Sequence, residues 1–490
     1  MKHALLFFFS LCCNLAIAQT RNPAQDINRT NIWRFGDASV PGADDVPGLD
    51  FNSGTPVVIN SGKHLLLTTT SAISDLNGNL QLYGSYQSIY DRTDNFLANA
   101  GVVGDSGRIG INPRNLAVPM PKSPNLIYYF TAQVSLKYTV VDMNLNNGKG
   151  QAIIRNVTLE KMPVEAKLAA VHHCNGSNIW IVGHRWDTNT FYAYLLTDTG
   201  IVTTPVISNV GPIANEQGTF QQGNIKFSPN GNKMAIVFNG VHTLPHLFDF
   251  DKSTGIISNP VQLQKDEADN GVSFSPNNSK LYISTNNGFL VQYDLLAGNA
   301  TAISNSRKVI FNILNTFAIM QMGRDGKIYL PPASAPNRFY LTVIHEPNKL
   351  DTFCNAQIDA IYLNGGQGVN TSFMNTIESY FYTGTSAYPC YGDTLSNVAT
   401  TDSREGIVIK AYPNPFLDYT TIDISGINAH DKLEYQVFDI TGRVCAAQIT
   451  ENDVWSGKQL HLHKARLLTG VYLLTIKTLN QIKTIKLSIL

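Results

Sequence analysis

The sequence predicts an all-β protein: a seven-bladed β-propeller followed by a small immunoglobulin-like β-sandwich. Two observations carry the propeller. The segments Phe227-Ser228-Pro229-Asn230-Gly231-Asn232-Lys233-Met234 and Phe274-Ser275-Pro276-Asn277-Asn278-Ser279-Lys280-Leu281 are one phrase, and Gly323-Arg324-Asp325-Gly326-Lys327-Ile328-Tyr329 is a variant of it. Each reads as an incoming strand, a tight turn and an outgoing strand of alternating apolar residues. The outgoing strand also recurs upstream, so the start points Asn31, Asn79, Asn125, Asn178, Lys233, Lys280 and Lys327 are separated by 48, 46, 53, 55, 47 and 47 residues. The third observation, which carries the sandwich, is a short polar stretch near residue 393 followed by compact strands of period two. The 21 Tyr and 23 Phe, with 37 Gly, suit pleated strands and tight turns.

In chain order, Lys2 and His3 precede an apolar run from Ala4 to Leu11 and a small-x-small site at Ala16-Ile17-Ala18. This is the grammar of a signal peptide over residues 1–18. Residues 19–392 hold the seven units. In the clearest one, strands are expected over Lys233 to Val237, His246 to Phe250, Pro260 to Leu263 and Gly271 to Phe274. Four short strands per repeat of this length is propeller arithmetic, with a solenoid as the structural rival. The first unit has little room for a preceding strand, and Ser372 to Phe381 is placed to supply it and close a ring that hides both sheet edges.

Residues 393–406 read as a linker, and residues 407–490 as a module of six or seven strands. Its period-two sets are Ile422 and Ile424; Leu433, Tyr435 and Val437; Ile485, Leu487 and Ile489. A two-residue turn is expected at Thr441-Gly442.

Lys plus Arg and Asp plus Glu both total 36, and 15% of residues are charged, which disfavours nucleic acid or any other polyanion as partner. No later stretch has the apolar length of a transmembrane segment. Cys174, Cys354, Cys390 and Cys445 remain beyond the leader, and an oxidising destination permits disulfides. Four cysteines allow three complete pairings. Cys354 with Cys390 is the preferred bridge, because both lie near the end of the large domain.

The run Ile32-Trp33-Arg34-Phe35-Gly36, then Gly48-Leu49-Asp50-Phe51-Asn52-Ser53-Gly54-Thr55-Pro56, resembles the opening of a propeller family of secreted surface proteins in Bacteroidetes-type bacteria. The Ser-Pro-Asn phrases are similar to WD-like and YVTN-like repeats. In the tail, Pro413, Asn414 and Pro415, then Asp439, Gly442 and Arg443, then Gly470 and Tyr472, with Lys486 in the last strand, resemble the type A C-terminal sorting domain of type IX secretion. That resemblance implies export through the inner membrane, recognition by the type IX secretion machinery, and delivery to the extracellular space or outer cell surface.

No residue set reaches a catalytic signature, and no metal or cofactor is predicted. His172, His173 and His184 invite a metal reading. However, a turn at Asn175 to Asn178 puts Cys174 opposite Ile179 and His184 near Ala169, about 10 Å along the strand from His172. The run Asp249, Asp251, Ser253, Gly255 has the wrong glycine position for a calcium loop and Pro260 where a bidentate acid belongs. Asp266, Glu267 and Asp269 read as a solvated acidic loop. His345-Glu346 lacks a second histidine, and Gly104 to Gly107 lacks the nucleophile-elbow spacing.

Trp180, Trp186, Tyr192 and Tyr194 suggest a sugar platform, although alternation sends half of such residues into the core. Trp186 is the weak candidate for ligand binding. The expected function is an exported binding or scaffold protein for an extracellular polymer or protein ligand. The alternative is a polysaccharide hydrolase or lyase with acids at the propeller's central mouth.

Overall fold

The computed structural model describes residues 23–35, 47–60, 71–84, 87–105, 115–132, 134–161, 164–213, 223–239, 243–265, 269–285, 287–312, 319–331, 339–363, 373–382, 408–412, 414, 416–425, 433–439, 444–445, 448–454, 457–464, 467–477 and 482–489. Residues 1–18 and 393–406, read above as leader and linker, fall outside them. The chain divides into two compact units, Met1–Thr394 and Leu395–Leu490.

The described residues of the first unit form seven antiparallel sheets in which sequential strands are neighbours. The first holds Ile32–Arg34, Pro47–Asp50 and Val57–Asn60; the second, Ser71–Ser74, Leu80–Gly84 and Ile89–Asp91. The third holds Asn115–Met120, Ser123–Ala132, Leu136–Asp142 and Gln151–Glu160. The fourth is built on Val164–His172, Ile179–Arg185 and Thr190–Thr197, with Gly200–Ile201 and Val206–Asn209 both paired to the last of these. The fifth comprises Gly223–Phe227, Lys233–Phe238, His246–Asp251 and Ile256–Gln262, and the sixth Asp269–Phe274, Lys280–Thr285, Phe289–Asp294 and Lys308–Asn312. The seventh comprises Gln321–Met322, Ile328–Leu330, Tyr340–Ile344 and Ala356–Tyr362.

Alternation makes these sheets apolar on both faces. In the fourth, Leu168 and Ala170 pack with Leu116, Val118 and Phe130 of the third, whereas Ala169 and Val171 pack with Ile225, Phe227 and Met234 of the fifth. The same arrangement joins the second sheet to the third, the fifth to the sixth and the sixth to the seventh. Tyr329, Leu341 and Val343 of the seventh share a core with Trp33, Leu49 and Phe51 of the first and with Tyr83 of the second.

The repeated turns owe their shape to one residue each. Gly231, Asn278 and Gly326 occupy equivalent places with φ of +72°, +64° and +76°, values that favour Gly and are tolerated by Asn. Their backbone N–H groups donate to the carbonyls of Ser228, Ser275 and Gly323 at 2.7, 2.9 and 3.0 Å.

Six of the seven repeat starts immediately precede or open the strand leaving the turn, and Asn125 lies two residues inside its strand, but repeat and sheet are staggered by one strand. Gly223–Phe227 belongs with Lys233–Phe238, so the strand expected at Gly271 to Phe274 opens the next sheet instead. Ser372 to Phe381 does not supply the strand expected for the first unit. Among its described residues it makes a single parallel bridge, Asn375 to Ser71 of the second sheet, and ends in a 3-10 turn, Glu378–Phe381. Its side chains reach several sheets at once, which a laddered strand facing one neighbour cannot do.

Two further expectations are corrected. The fourth sheet pairs His172 with Ile179 and Ala169 with Val182, a shift of two residues from the predicted register. The cause is that His173 joins Asn178 to close the loop, its N–H donating to the Asn178 carbonyl at 2.8 Å, while Asn175 Oδ1 accepts from the N–H groups of Ser177 and Asn178. The Cys354–Cys390 bridge is not formed. Cys354 is a free thiol, fully buried between the sixth and seventh sheets, and among the described cysteines Cys174 is disulfide-bonded. Burial pushes the Cys354 thiol above its usual range, with a hydrogen bond to Tyr282 opposing. Cys390 lies outside the described residues.

In the second unit two four-stranded antiparallel sheets share one core. One contains Val408–Tyr412, Tyr419–Ser425, Gly457–His463 and Gln448–Val454; the other contains Val444–Cys445, Glu434–Asp439, Gly470–Lys477 and Ile482–Ile489. Ile422, Ile424, Val437, Leu487 and Ile489 point into that core, as the period-two pattern requires. Phe438 pairs with Val444, one residue off the register that a two-residue Thr441-Gly442 turn demands.

Non-reducing peptide mapping after denaturation in the presence of an alkylating agent tests the cysteine assignment. Cys354 is expected in alkylated form and Cys174 in a cross-linked peptide; a Cys354–Cys390 peptide would overturn it.

Candidate functional site

Residues 373–382 bring together groups that lie far apart in the chain. Phe373 packs on Trp33 and Phe35 of the first sheet with ring centroids 5.7 and 5.1 Å apart. Asn375 Nδ2 donates to the Leu168 carbonyl at 2.8 Å, and its own carbonyl accepts from Ser71 Oγ at 3.2 Å. Ser379 Oγ accepts the His172 N–H at 3.1 Å and lies 2.7 Å from His172 Nδ1.

Glu378 forms an ion pair with Lys226 of the fifth sheet. Gln321 of the seventh accepts from Lys226 Nζ at 2.7 Å and donates to Glu378 Oε1 at 3.2 Å. The two charged side chains are 3% and 4% exposed, so they satisfy one another rather than meeting solvent. Nothing in the sequence reading found this network. The available signal was a lysine between Ile225 and Phe227 in the strand Gly223–Phe227.

Beside this segment lies a cavity of about 320 Å³. One wall is the short N-terminal helical stretch with Asp26 and Arg29. Another is the third sheet's hairpin turn, where Pro119, Pro121 and Pro124 surround Lys122, and the floor is made by His172 and Tyr380. His172 and Tyr380 stand edge to face at 5.4 Å. Arg29 is 5% exposed and its Nε lies 3.9 Å from Asp26 Oδ1. Lys122 is half exposed and bonds Asp198 at 2.6 Å.

The three histidines do not assemble. His172 is held by Ser379, His173 packs on Trp180 at 5.9 Å, and His184 packs on Phe191 at 4.5 Å at the far end of its strand. Asp249 pairs with Lys233, and Asp251 caps a tight turn by accepting from Ser253 and Thr254, so the two do not converge on a cation. Asp269 is buried and 3.5 Å from Lys265, while Asp266 and Glu267 lie outside the described residues. Asp105 accepts from Ser135 and pairs with Lys137.

Trp180, Tyr192 and Tyr194 are core residues. Trp186 is half-buried in the turn after Ile179–Arg185, the opposite end of that strand from the cavity.

In the second unit the described motif residues meet at one end of a sheet. Asp439 pairs with Tyr472, Tyr472 with Leu487, and Gly470 with Ile489. Asn414 Nδ2 donates to the Lys486 carbonyl at 2.9 Å, and Asn414 Oδ1 accepts the Ser488 N–H at 2.8 Å. Motifs spread over some seventy residues thus form one surface, with Phe416 bridged to Ile489 beside it. Pro413, Pro415, Gly442 and Arg443 lie outside the described residues.

Residues 410–490 match the family model of the secretion system C-terminal sorting domain. The protein is therefore an all-β chain exported to the cell surface or the extracellular space, and the tail's partner is the type IX secretion machinery. No helix among the described residues is long and apolar enough to cross a membrane. No curated protein matches the chain.

Among solved structures, it is similar to a functionally unknown protein from Desulfotomaculum acetoxidans at 12% identity, covering 71% of this chain and 99% of that one, with TM-score 0.40. It is also similar to Hsv2 of Kluyveromyces lactis at 11% identity, covering 64% and 90%, with TM-score 0.37. A putative 6-phosphogluconolactonase from Bacteroides uniformis matches at 13% identity, covering 84% and 94%, with TM-score 0.36. At such TM-scores these likenesses carry no argument about fold or activity.

Two outcomes are expected. Lys226→Met strands Glu378 and should cost about 3–5 kcal/mol in chemical denaturation, whereas Lys226→Met combined with Glu378→Leu should cost less than that single change. Fractionation of cells carrying a deletion of residues 407–490 should find the protein in the periplasm and missing from surface and medium.

Proposed function

We propose that the seven sheets form a seven-bladed β-propeller and that the protein is an exported binding or scaffold protein rather than a hydrolase. Support for the ring comes from the cyclic sharing of cores. The first strands of the fourth, fifth, sixth and seventh sheets also lie side by side in order. Tyr329 of the seventh packs edge-on against Trp33 and Phe51 of the first at 5.4 and 5.7 Å. In this reading residues 1–18 are the cleaved leader, residues 19–392 the propeller, and residues 407–490 a type A sorting module that takes no part in ligand recognition.

The observation that carries binding over hydrolysis is the state of the buried acids. Glycoside cleavage uses two carboxyl groups facing the scissile bond. Among the described residues the buried acids are Asp91, Asp269 and Glu378. Glu378 is paired with Lys226, Asp269 lies against Lys265, and Asp91 accepts from Thr93 in its own turn. None of the three is held ready to exchange a proton with a substrate, and the cavity beside Arg29 offers a concave surface for a ligand.

The test is a screen of the purified full-length protein on glycan and protein arrays, with product analysis on every glycan bound. Saturable binding without product is expected. Product release that is abolished by paired acid-to-alanine changes would overturn the reading in favour of a hydrolase or lyase.

A further inference from the structure

We propose that the cavity beside Arg29 binds a compact carboxylate, with the Arg29 guanidinium as its anchor. A guanidinium stays charged and offers five N–H donors in one plane. Arg29 is 5% exposed, and the one ion pair it makes among the described residues is a 3.9 Å approach of Nε to Asp26, too long for a hydrogen bond. A buried cation with so little compensation is costly unless acceptors reach it. The open space it borders is the cavity of about 320 Å³, within the size range of small-ligand sites.

The remaining lining sets the ligand class. Among the described lining residues Arg29 is the buried cation, and its 3.9 Å approach to Asp26 leaves the guanidinium short of acceptors, which selects an anion. A doubly charged phosphate group needs more compensation than one arginine beside an aspartate supplies, because Lys122 is already engaged by Asp198. A carboxylate matches the guanidinium fork with two parallel bonds and a single charge. Pro119, Pro121 and Tyr380 add apolar faces suited to a sugar ring or a short aliphatic body. A sugar acid and an acylated amino acid share this chemistry.

The inference rests on the binding-protein reading and names its ligand. Calorimetric titration of the full-length protein with glucuronate, its methyl ester and N-acetylglycine tests it. Saturable binding of glucuronate, of N-acetylglycine or of both is expected, and which one saturates identifies the source. The ester, and Arg29→Gln with the acid, should bind roughly tenfold or more weakly. If Arg29→Gln does not fold, the acid-against-ester comparison on the unaltered protein decides. Equal binding of acid and ester, or no saturation by either carboxylate, overturns the proposal. Array binding of a neutral glycan in that case leaves the binding-protein reading standing, whereas an empty array removes both.

Discussion

The pairing of Lys226 with Glu378 is the constraint on which much of the large unit's organisation rests. A lone buried charge costs several kcal/mol, so the lysine of the fifth sheet and the glutamate of the 373–382 segment must be placed together or not at all. Gln321 adds the seventh sheet to the same network. Because the glutamate lies within a segment that also bonds Ser71, Leu168 and His172, one ion pair ties the ordering of that segment to the first strands of several sheets.

The polar character of that segment follows from its irregular backbone. A stretch without a ladder cannot satisfy its own N–H and C=O groups, and burial makes each omission expensive. Side chains replace the ladder: Ser71 Oγ donates to Asn375, Asn375 donates to Leu168, and Ser379 accepts from His172. Apolar residues between them, Phe373, Met374, Ile377 and Tyr380, fill the adjoining cores, so the segment packs and bonds by turns. Neighbouring sheets are also joined at their turns, where the Asn230 N–H donates to Asn278 Oδ1 at 2.8 Å and the Asn277 N–H to Asn348 Oδ1 at 3.1 Å.

In the proposed reading, this arrangement separates stability from recognition. Among the described residues the buried Glu378 is committed to Lys226, while Arg29, whose one ion pair among them is a 3.9 Å approach to Asp26, lines a cavity. The tail is separate again. Its motif residues meet through strand pairing within their own unit, Asn414 against Lys486 and Ser488, Asp439 against Tyr472.

By itself the sequence determined the features that are local. The three turns at Gly231, Asn278 and Gly326 need positive φ, and Gly or Asn stands at each. The strands leaving the turns are short, largely apolar runs, and the sorting motifs are contiguous words. Tertiary structure decided whatever depends on distance through space. That Lys226 meets Glu378, that Cys354 stays a thiol beside Tyr282 and that Phe373 to Phe381 crosses sheets instead of extending one could not be read locally. The shift at His172 is set within its loop, where the His173 N–H bonds the Asn178 carbonyl; a two-residue slip leaves every side chain on its own face, so the packing of Leu168 and Ala169 does not choose between the two registers. The physical reason is common to the other three. Turn geometry is an energy of adjacent residues, whereas ion pairs and thiol burial are energies of neighbours that the chain brings together only after it has folded.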